Sequence, residues 1–232
     1  MIRPEDRLIV ALDVDTVEEA VRLVKKLTPL GVTHFKIGLN LFTQAGPAAV
    51  EAVHQAGGRV FLDLKFHDIP NTVAGAVQAA SRMGVWMTNV HIPGGSAMMR
   101  AALSGRGKDL LLIGVTVLTS MAEKDLAELG VHNPVETQVL SLAKLAQSAG
   151  LSGVVASALE AGMIRQACGE KFLIVTPGIR PKDNEANDQQ RTGTPGEAIR
   201  AGADYLVVGR PILEAPDPAA VAGRILEECA KG

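Results

Sequence analysis

Short runs of β-branched and other apolar residues alternate along this chain with longer stretches in which apolar positions recur every three or four residues. The short runs predict eight strands: Leu8 to Asp13, Thr33 to Gly38, Val60 to Lys65, Val85 to His91, Leu110 to Val117, Gly153 to Ala156, Phe172 to Pro177 and Tyr205 to Gly209. Helices fit between them. The first, Val17 to Leu27, places Ala20, Val21, Val24 and Leu27 on one face, and Thr16 followed by Glu19 has the spacing of a capping box. Eight strands each followed by a helix predict an α/β chain of one domain, residues 1–232, folded as a closed (β/α)8 TIM barrel. An open doubly wound sheet is the alternative.

Composition narrows the class further. The chain has 232 residues, of which 47% are hydrophobic and 21% charged, enough to bury a substantial core. Only 3% are aromatic, so that core must be built from aliphatic side chains, as in a parallel sheet wrapped by helices. The formal net charge is −2, and no basic run is long enough to follow a nucleic-acid backbone; any bound anion should be small. No stretch supplies the roughly 20 apolar residues that span a bilayer, and the opening MIRPEDRLIV lacks the pattern of an export leader, so a cytoplasmic location without membrane attachment is expected. Cys168 and Cys229, the two cysteines, have neither redox nor zinc-ligand spacing and are expected to be plain helix residues.

Barrels of this type hold their chemistry at the carboxyl ends of the strands. The polar residues inside these apolar runs fall there: Asp13 after the first run, Lys36 in the second, Asp63 and Lys65 in the third, His91 in the fourth, Thr116 and Thr119 around the fifth, and Gly209 with Arg210 after the eighth. In VFLDLKFHDIPNT, strand alternation puts Asp63 and Lys65 on one face, which in a barrel is the interior. Charges projecting inward are costly unless they pair, and Lys36 from the neighbouring strand is the expected partner. Asp68 follows at the turn into a helix that opens with Pro70. A lone Asp-x-Lys pair reads equally well as a structural ion pair capping the barrel. With Lys36 and Asp13 added, a site that uses the charges is the better reading, and a lysine held among carboxylates can deliver a proton to carbon.

The segment DLKFHDIPNT at 63–72 closely resembles the signature of the orotidine 5'-monophosphate decarboxylases. ALDVD at 11–15, FKIGLNLF at 35–42, VTVLTSM at 115–121, TPGIRP at 176–181, the Asp-Gln of 188–189 and VVGRPI at 207–212 resemble other segments of that family, in its order. The resemblance implies a decarboxylase that turns orotidine 5'-monophosphate into uridine 5'-monophosphate in pyrimidine biosynthesis, with no cofactor and no metal. It implies that Lys65 protonates C6 of the pyrimidine, that Asp63 sits beside the departing carboxylate and that Lys36 orients Asp63 and the ribose. It further implies that Asp68 and Thr72 cross a homodimer interface into the partner's site, that Asp13 binds ribose, that Thr119 meets the pyrimidine edge and that Arg180, Gln189, Gly209 and Arg210 hold the phosphate.

The phosphate assignment also follows from the barrel itself, since such folds often bind phosphate in the loops after strands seven and eight, where PGIR and VGRP lie. The polar stretch from Pro181 to Pro195 is long for a barrel loop and is expected to be a lid that brings in Gln189. His67 and His91 lie near the same mouth but read more simply as structural residues, with His34, His54 and His132 further from it. Two other readings stay open. A magnesium-dependent keto-sugar phosphate decarboxylase or hexulose-6-phosphate synthase uses a similar Asp-x-Lys-x-x-Asp cluster, and a non-catalytic nucleotide-binding barrel would keep the phosphate site alone.

Overall fold

A computed structural model describes residues 2–181 and 193–231. Eight parallel strands close on themselves in the order β1 to β8: β1 (Leu8–Ala11), β2 (His34–Ile37), β3 (Arg59–Phe66), β4 (Met87–His91), β5 (Leu111–Val115), β6 (Gly153–Val155), β7 (Leu173–Thr176) and β8 (Tyr205–Val208). Around them run α1 (Val17–Leu27), α2 (Leu39–Ala45), α3 (Pro47–Gln55), α4 (Pro70–Arg82), α5 (Gly95–Gly105), α6 (Glu123–Glu128), α7 (Val135–Ala149), α8 (Ala158–Cys168), α9 (Pro195–Arg200), α10 (Arg210–Leu213) and α11 (Pro218–Lys231). The barrel is therefore the (β/α)8 type, and the open sheet is excluded by the pairing of β1 with β8. The expected strands are all present, most of them shorter by one or more residues and β3 longer by one at each end; Asp13 thus stands two residues past β1.

Alternation along the strands builds two apolar layers. Leu8, Val10, Phe35, Ile37, Val60 and Leu62 face outward into the helices. Ile9, Ala11, Phe61, Met87, Ile113, Val175 and Val207 fill the barrel. On β2 the inward positions are His34 near the amino-terminal end and Lys36 near the carboxyl end, which the register pairs with Ala11 of β1 and Phe61 of β3. Helix α1 begins as expected at Thr16, whose Oγ1 accepts the Glu19 N–H at 3.2 Å. The capping box is only half formed, because the Glu19 carboxylate lies 3.8 Å from Arg22 instead of returning to the Thr16 amide. Cys168 and Cys229 are buried free thiols in α8 and α11, and burial pushes the Cys229 thiol up to about 11. No helix among the described residues is long and apolar enough to cross a membrane.

The amino-terminal end of the barrel is closed by aromatic rings. The His34 ring lies 4.1 Å from that of Trp86, Tyr205 meets Trp86 edge-on at 5.1 Å, and the Arg59 guanidinium sits 5.6 Å from the Trp86 ring. Burial, reinforced by the Arg59 charge, lowers the pKa of His34 from 6.5 to about 4. The folded chain thus keeps a neutral imidazole where the unfolded chain takes up a proton, so this contribution to stability is intact above pH 6.5 and disappears as pH falls toward 4. Its full size is at most about 3 kcal/mol. Urea unfolding followed by Trp86 fluorescence should show the midpoint falling between about pH 7 and about pH 4.5. His34→Phe should fall less over the same range; equal losses would remove His34 as the source.

Candidate active site

At the carboxyl-terminal mouth the first three strands deliver a row of alternating charges. Lys36 Nζ lies 3.2 Å from Asp13 Oδ1 and 3.3 Å from Asp63 Oδ2, and Lys65 Nζ lies 2.8 Å from Asp63 Oδ1. Asp63 thus bridges two ammonium groups, one through each oxygen. The Lys36 and Asp63 side chains are each only 11% exposed, whereas Lys65 is 29% exposed and opens to the cavity. Burial disfavours the charge on Lys36, but the carboxylates of Asp63 and Asp13 outweigh it and raise its pKa. Burial likewise works against the Asp63 carboxylate, and Lys36, Lys65 and a hydrogen bond from Asn89 overcome it and hold its pKa below the usual carboxylate value. Both groups are held ionised inside the fold.

The expected alternation of Asp63 and Lys65 on a regular strand is not what places them. Leu62 pairs with Thr88 and Phe66 with Val90, so Asp63, Leu64 and Lys65 bulge opposite the single residue Asn89. Lys65 has φ of 51°, the sole non-glycine residue in the left-handed region among those described. Its N–H donates to Asn89 Oδ1 at 2.8 Å, and Asn89 Nδ2 donates to Asp63 Oδ1 at 2.7 Å. Asn89 is not among the site residues expected from the sequence. A carboxamide in the apolar run MTNVH carries a signal, because a buried amide must find partners.

The row opens onto a cavity of about 580 Å³, within the size range of small-molecule sites. Asp13, Lys36, Asp63 and Lys65 line one side; Thr119, Arg180, Gly209 and Arg210 line the other, with Glu214 beside them. Phe61, Val155, Val175 and Val207 make an apolar floor. Arg180 is buried, and its N–H is bonded to Gly193 O across the loop base at 3.0 Å. Gly209 closes on β1: a methyl there would stand 3.3 Å from Ala11 Cβ and 3.4 Å from Asp13 Oδ2, so its lack of a side chain keeps this corner open to a ligand.

Two expected site residues lie elsewhere. Asp68 is exposed, does not line the cavity and accepts the N–H of Ile69 at 2.6 Å; Thr72, in the first turn of α4, is exposed as well. Ile69 beside them is 67% exposed and Leu39, at the start of α2, 59%. Asp68 therefore does not join the cluster within one chain. Gln189, and with it most of the loop expected to be a lid, lies outside the described residues. His67 and His91 face each other at 5.6 Å beside the bulge and do not line the cavity, while burial, with His67 and Lys65 adding to it, lowers the pKa of His91. Among the described residues no group of three or more His, Cys, Asp or Glu side chains is placed to hold a metal ion.

Known proteins are similar to this chain over almost its whole length. It is 54% identical over 239 aligned positions to the orotidine 5'-phosphate decarboxylase of Syntrophotalea carbinolica, covering 99% of this chain and 97% of that one. It is 53% identical to the orotidine 5'-phosphate decarboxylase of Chromohalobacter salexigens, covering 97% and 96%. The crystal structure of orotidine 5'-phosphate decarboxylase from Lactobacillus acidophilus superposes with a TM-score of 0.85 at 38% identity, covering 96% of this chain and 98% of that one. Residues 6–225 match the family described as orotidine 5'-phosphate decarboxylase / HUMPS, and the chain belongs to that family.

Proposed function

We propose that this chain, acting as one catalytic domain, decarboxylates orotidine 5'-monophosphate to uridine 5'-monophosphate for pyrimidine biosynthesis, without a cofactor. The observation that carries the reading is the Asp13, Lys36, Asp63, Lys65 row at the rim of a cavity whose opposite side presents Arg180, Gly209 and Arg210. The C6 to carboxyl bond breaks, CO2 departs and its electron pair stays on C6. Lys65 Nζ donates a proton to that carbon, and the resulting amine regains a proton from solvent. No carbonyl is placed to accept the pair by conjugation, so stabilisation must be electrostatic. Enzymatic accelerations at the upper end of the typical range correspond to roughly 23 kcal/mol, far beyond one hydrogen bond, and several preorganised charges are required.

In this reading Asp63 sits beside the substrate carboxylate and disfavours it in the ground state, while Lys36 holds Asp63 in place and reaches the ribose. Asp13 binds a ribose hydroxyl and Thr119 the pyrimidine edge. Gly209, Arg210, Arg180 and Gln189 hold the phosphate, with the guanidiniums making charge-assisted contacts. Asp68 and Thr72 act across a homodimer interface in the partner's site, in the cytoplasm. Their exposure beside Ile69, and their absence from the cavity of their own chain, support that placement.

Lys65→Ala should abolish orotidylate consumption while the chain still folds and keeps its dimer mass. A variant that keeps about a tenth of the activity would refute the proton-donor role. Arg210→Ala should weaken binding of the phosphorylated substrate by about 2 kcal/mol, read as a raised KM, and change the handling of a phosphate-free nucleoside little. Normal kinetics with orotidylate would place the phosphate elsewhere. Spectrophotometric loss of orotidylate should proceed undiminished in excess chelator. Activity lost on chelation would favour the magnesium-dependent keto-sugar phosphate reading, and binding without CO2 release a nucleotide-binding barrel.

A further inference from the structure

Beside the charge row, Asn89 is a polar side chain that is fully buried, yet it does not line the cavity and so cannot contact a ligand there. Its two hydrogen bonds run to the two residues that the proposed chemistry needs most. The Lys65 N–H donates to its Oδ1, and its Nδ2 donates to Asp63 Oδ1, the same oxygen that Lys65 Nζ approaches at 2.8 Å. This orientation is fixed by the partners, since a backbone N–H can only donate and a carboxylate can only accept. The contacts close a loop: Lys65 backbone, Asn89 amide, Asp63 carboxylate, Lys65 ammonium.

The backbone at this point needs such a clamp. Three residues of β3 stand opposite Asn89, and Lys65 adopts a left-handed conformation that a residue with a long side chain rarely takes. Such a conformation persists only where its surroundings determine it, and it commonly marks a functional position. The bulge leaves the Lys65 amide bonded to the Asn89 side chain in place of a ladder carbonyl.

We propose that Asn89 is a positioning residue for the decarboxylation: by bonding the Lys65 amide and the Asp63 carboxylate together, it sets the spacing of proton donor and anion before substrate arrives. This rests on the decarboxylase reading of the site. Asn89 acts through Lys65 and Asp63 and touches no reacting atom.

Three variants of the full chain test it. Asn89→Leu keeps the volume and removes both hydrogen bonds, and Asn89→Ala removes both and the volume. Each should lower kcat by about 10- to 100-fold, as loss of a supporting partner does elsewhere, with KM changed less than about threefold because the phosphate contacts are untouched. Asn89→Asp can still accept from the Lys65 amide, but it can donate to Asp63 only while it carries a proton. Two touching carboxylates raise the pKa of one of them, so the kcat deficit of this variant should shrink as pH falls from about 8 toward about 5.5, whereas the leucine deficit stays constant. A crystal structure of Asn89→Leu should show Lys65 out of the left-handed region or Asp63 rotated away from it.

Leucine and alanine variants with kcat within about threefold of the unmodified chain would overturn the proposal, as would an Asn89→Asp deficit that is flat with pH. If the leucine variant fails to fold, the pH series of Asn89→Asp decides. An unmodified chain that releases no CO2 would instead sink the decarboxylase reading, and the geometry of Lys65 and Asp63 in the variant crystals would then decide whether Asn89 sets their spacing.

Discussion

A single carboxylate, that of Asp63, receives an ammonium on each of its oxygens, Lys36 on one and Lys65 on the other, and is further bonded by Asn89. Each of these charges is taken out of water by the fold, and each is tolerable only because the others are there. Removing one partner of a buried pair strands the remaining charge at a cost of about 3–5 kcal/mol, so the row stands or falls as a unit. Its existence depends on the barrel register. Lys36 pairs with Ala11 on one side and Phe61 on the other, so the inward positions at the end of β2 and just beyond Phe61 on β3 are neighbours, with Asp13 arriving from the turn after β1. Closure of the sheet then brings β8, with Gly209 at its end, against β1 and the back of Asp13. Lys36, Asp63 and Lys65, contributed by separate stretches of chain, are thus held together by hydrogen-bonded strands rather than by loops.

The same closure divides the mouth. Strands β1 to β3 carry the alternating charges, and β7 and β8 lead into the arginine and glycine positions at 180, 209 and 210. Between the two lies an apolar floor made by Phe61, Val155, Val175 and Val207, whose neighbours below are the packed aliphatic residues of the barrel interior. A floor that excludes water lowers the local dielectric and strengthens every charge interaction above it. An anionic, elongated ligand with a reacting group at one end and a phosphate at the other fits this division, because affinity gained at the arginine end can hold the reacting group against charges that it would otherwise avoid.

Much of this was legible in the sequence, and for identifiable reasons. Short, nearly continuous apolar runs located all eight strands, since a strand buried on both faces must be apolar throughout and the few polar residues within it mark its end. Asp13, Lys36, Asp63, Lys65, Thr119, Arg180, Gly209 and Arg210 all reach the cavity. What the pattern could not convey is the bulge in β3. Regular alternation puts Asp63 and Lys65 on one face, but a left-handed φ at a lysine has no signature in composition or spacing, because the local preference of that residue argues against it. Asn89 was hidden for a related reason: its partners are a carboxylate and an amide on the neighbouring strand, and only the register shift brings them within reach of one side chain. Asp68, expected in the partner's site, lies at the surface of its own chain, where its carboxylate accepts the Ile69 N–H at the turn into α4.

The charge row is better understood as a burden on the barrel than as its support. Well-packed apolar side chains in the place of a buried ion network are often as stabilising or more so, so folding alone gives no reason to keep Lys36, Asp63 and Lys65. The left-handed backbone at Lys65 adds a further cost of about 1–3 kcal/mol. Asp63, Lys65 and the left-handed backbone lie within three residues at the carboxyl end of β3, with Lys36 beside them on β2, while the opposite end of the barrel shows no such strain among the described residues. There the rings of His34, Trp86 and Tyr205 pack on one another, and the Arg165 guanidinium satisfies the carbonyls of Gly169, Phe172 and Gly202 together with the Asp204 carboxylate. A chain whose local rules hold at one end and are broken in several ways at one spot on the other is organised around that spot. The stability of the aliphatic layers and the aromatic base is what allows the strained, charge-dense rim to persist, and the left-handed backbone falls at Lys65, the residue that the proposed chemistry places next to the reacting carbon.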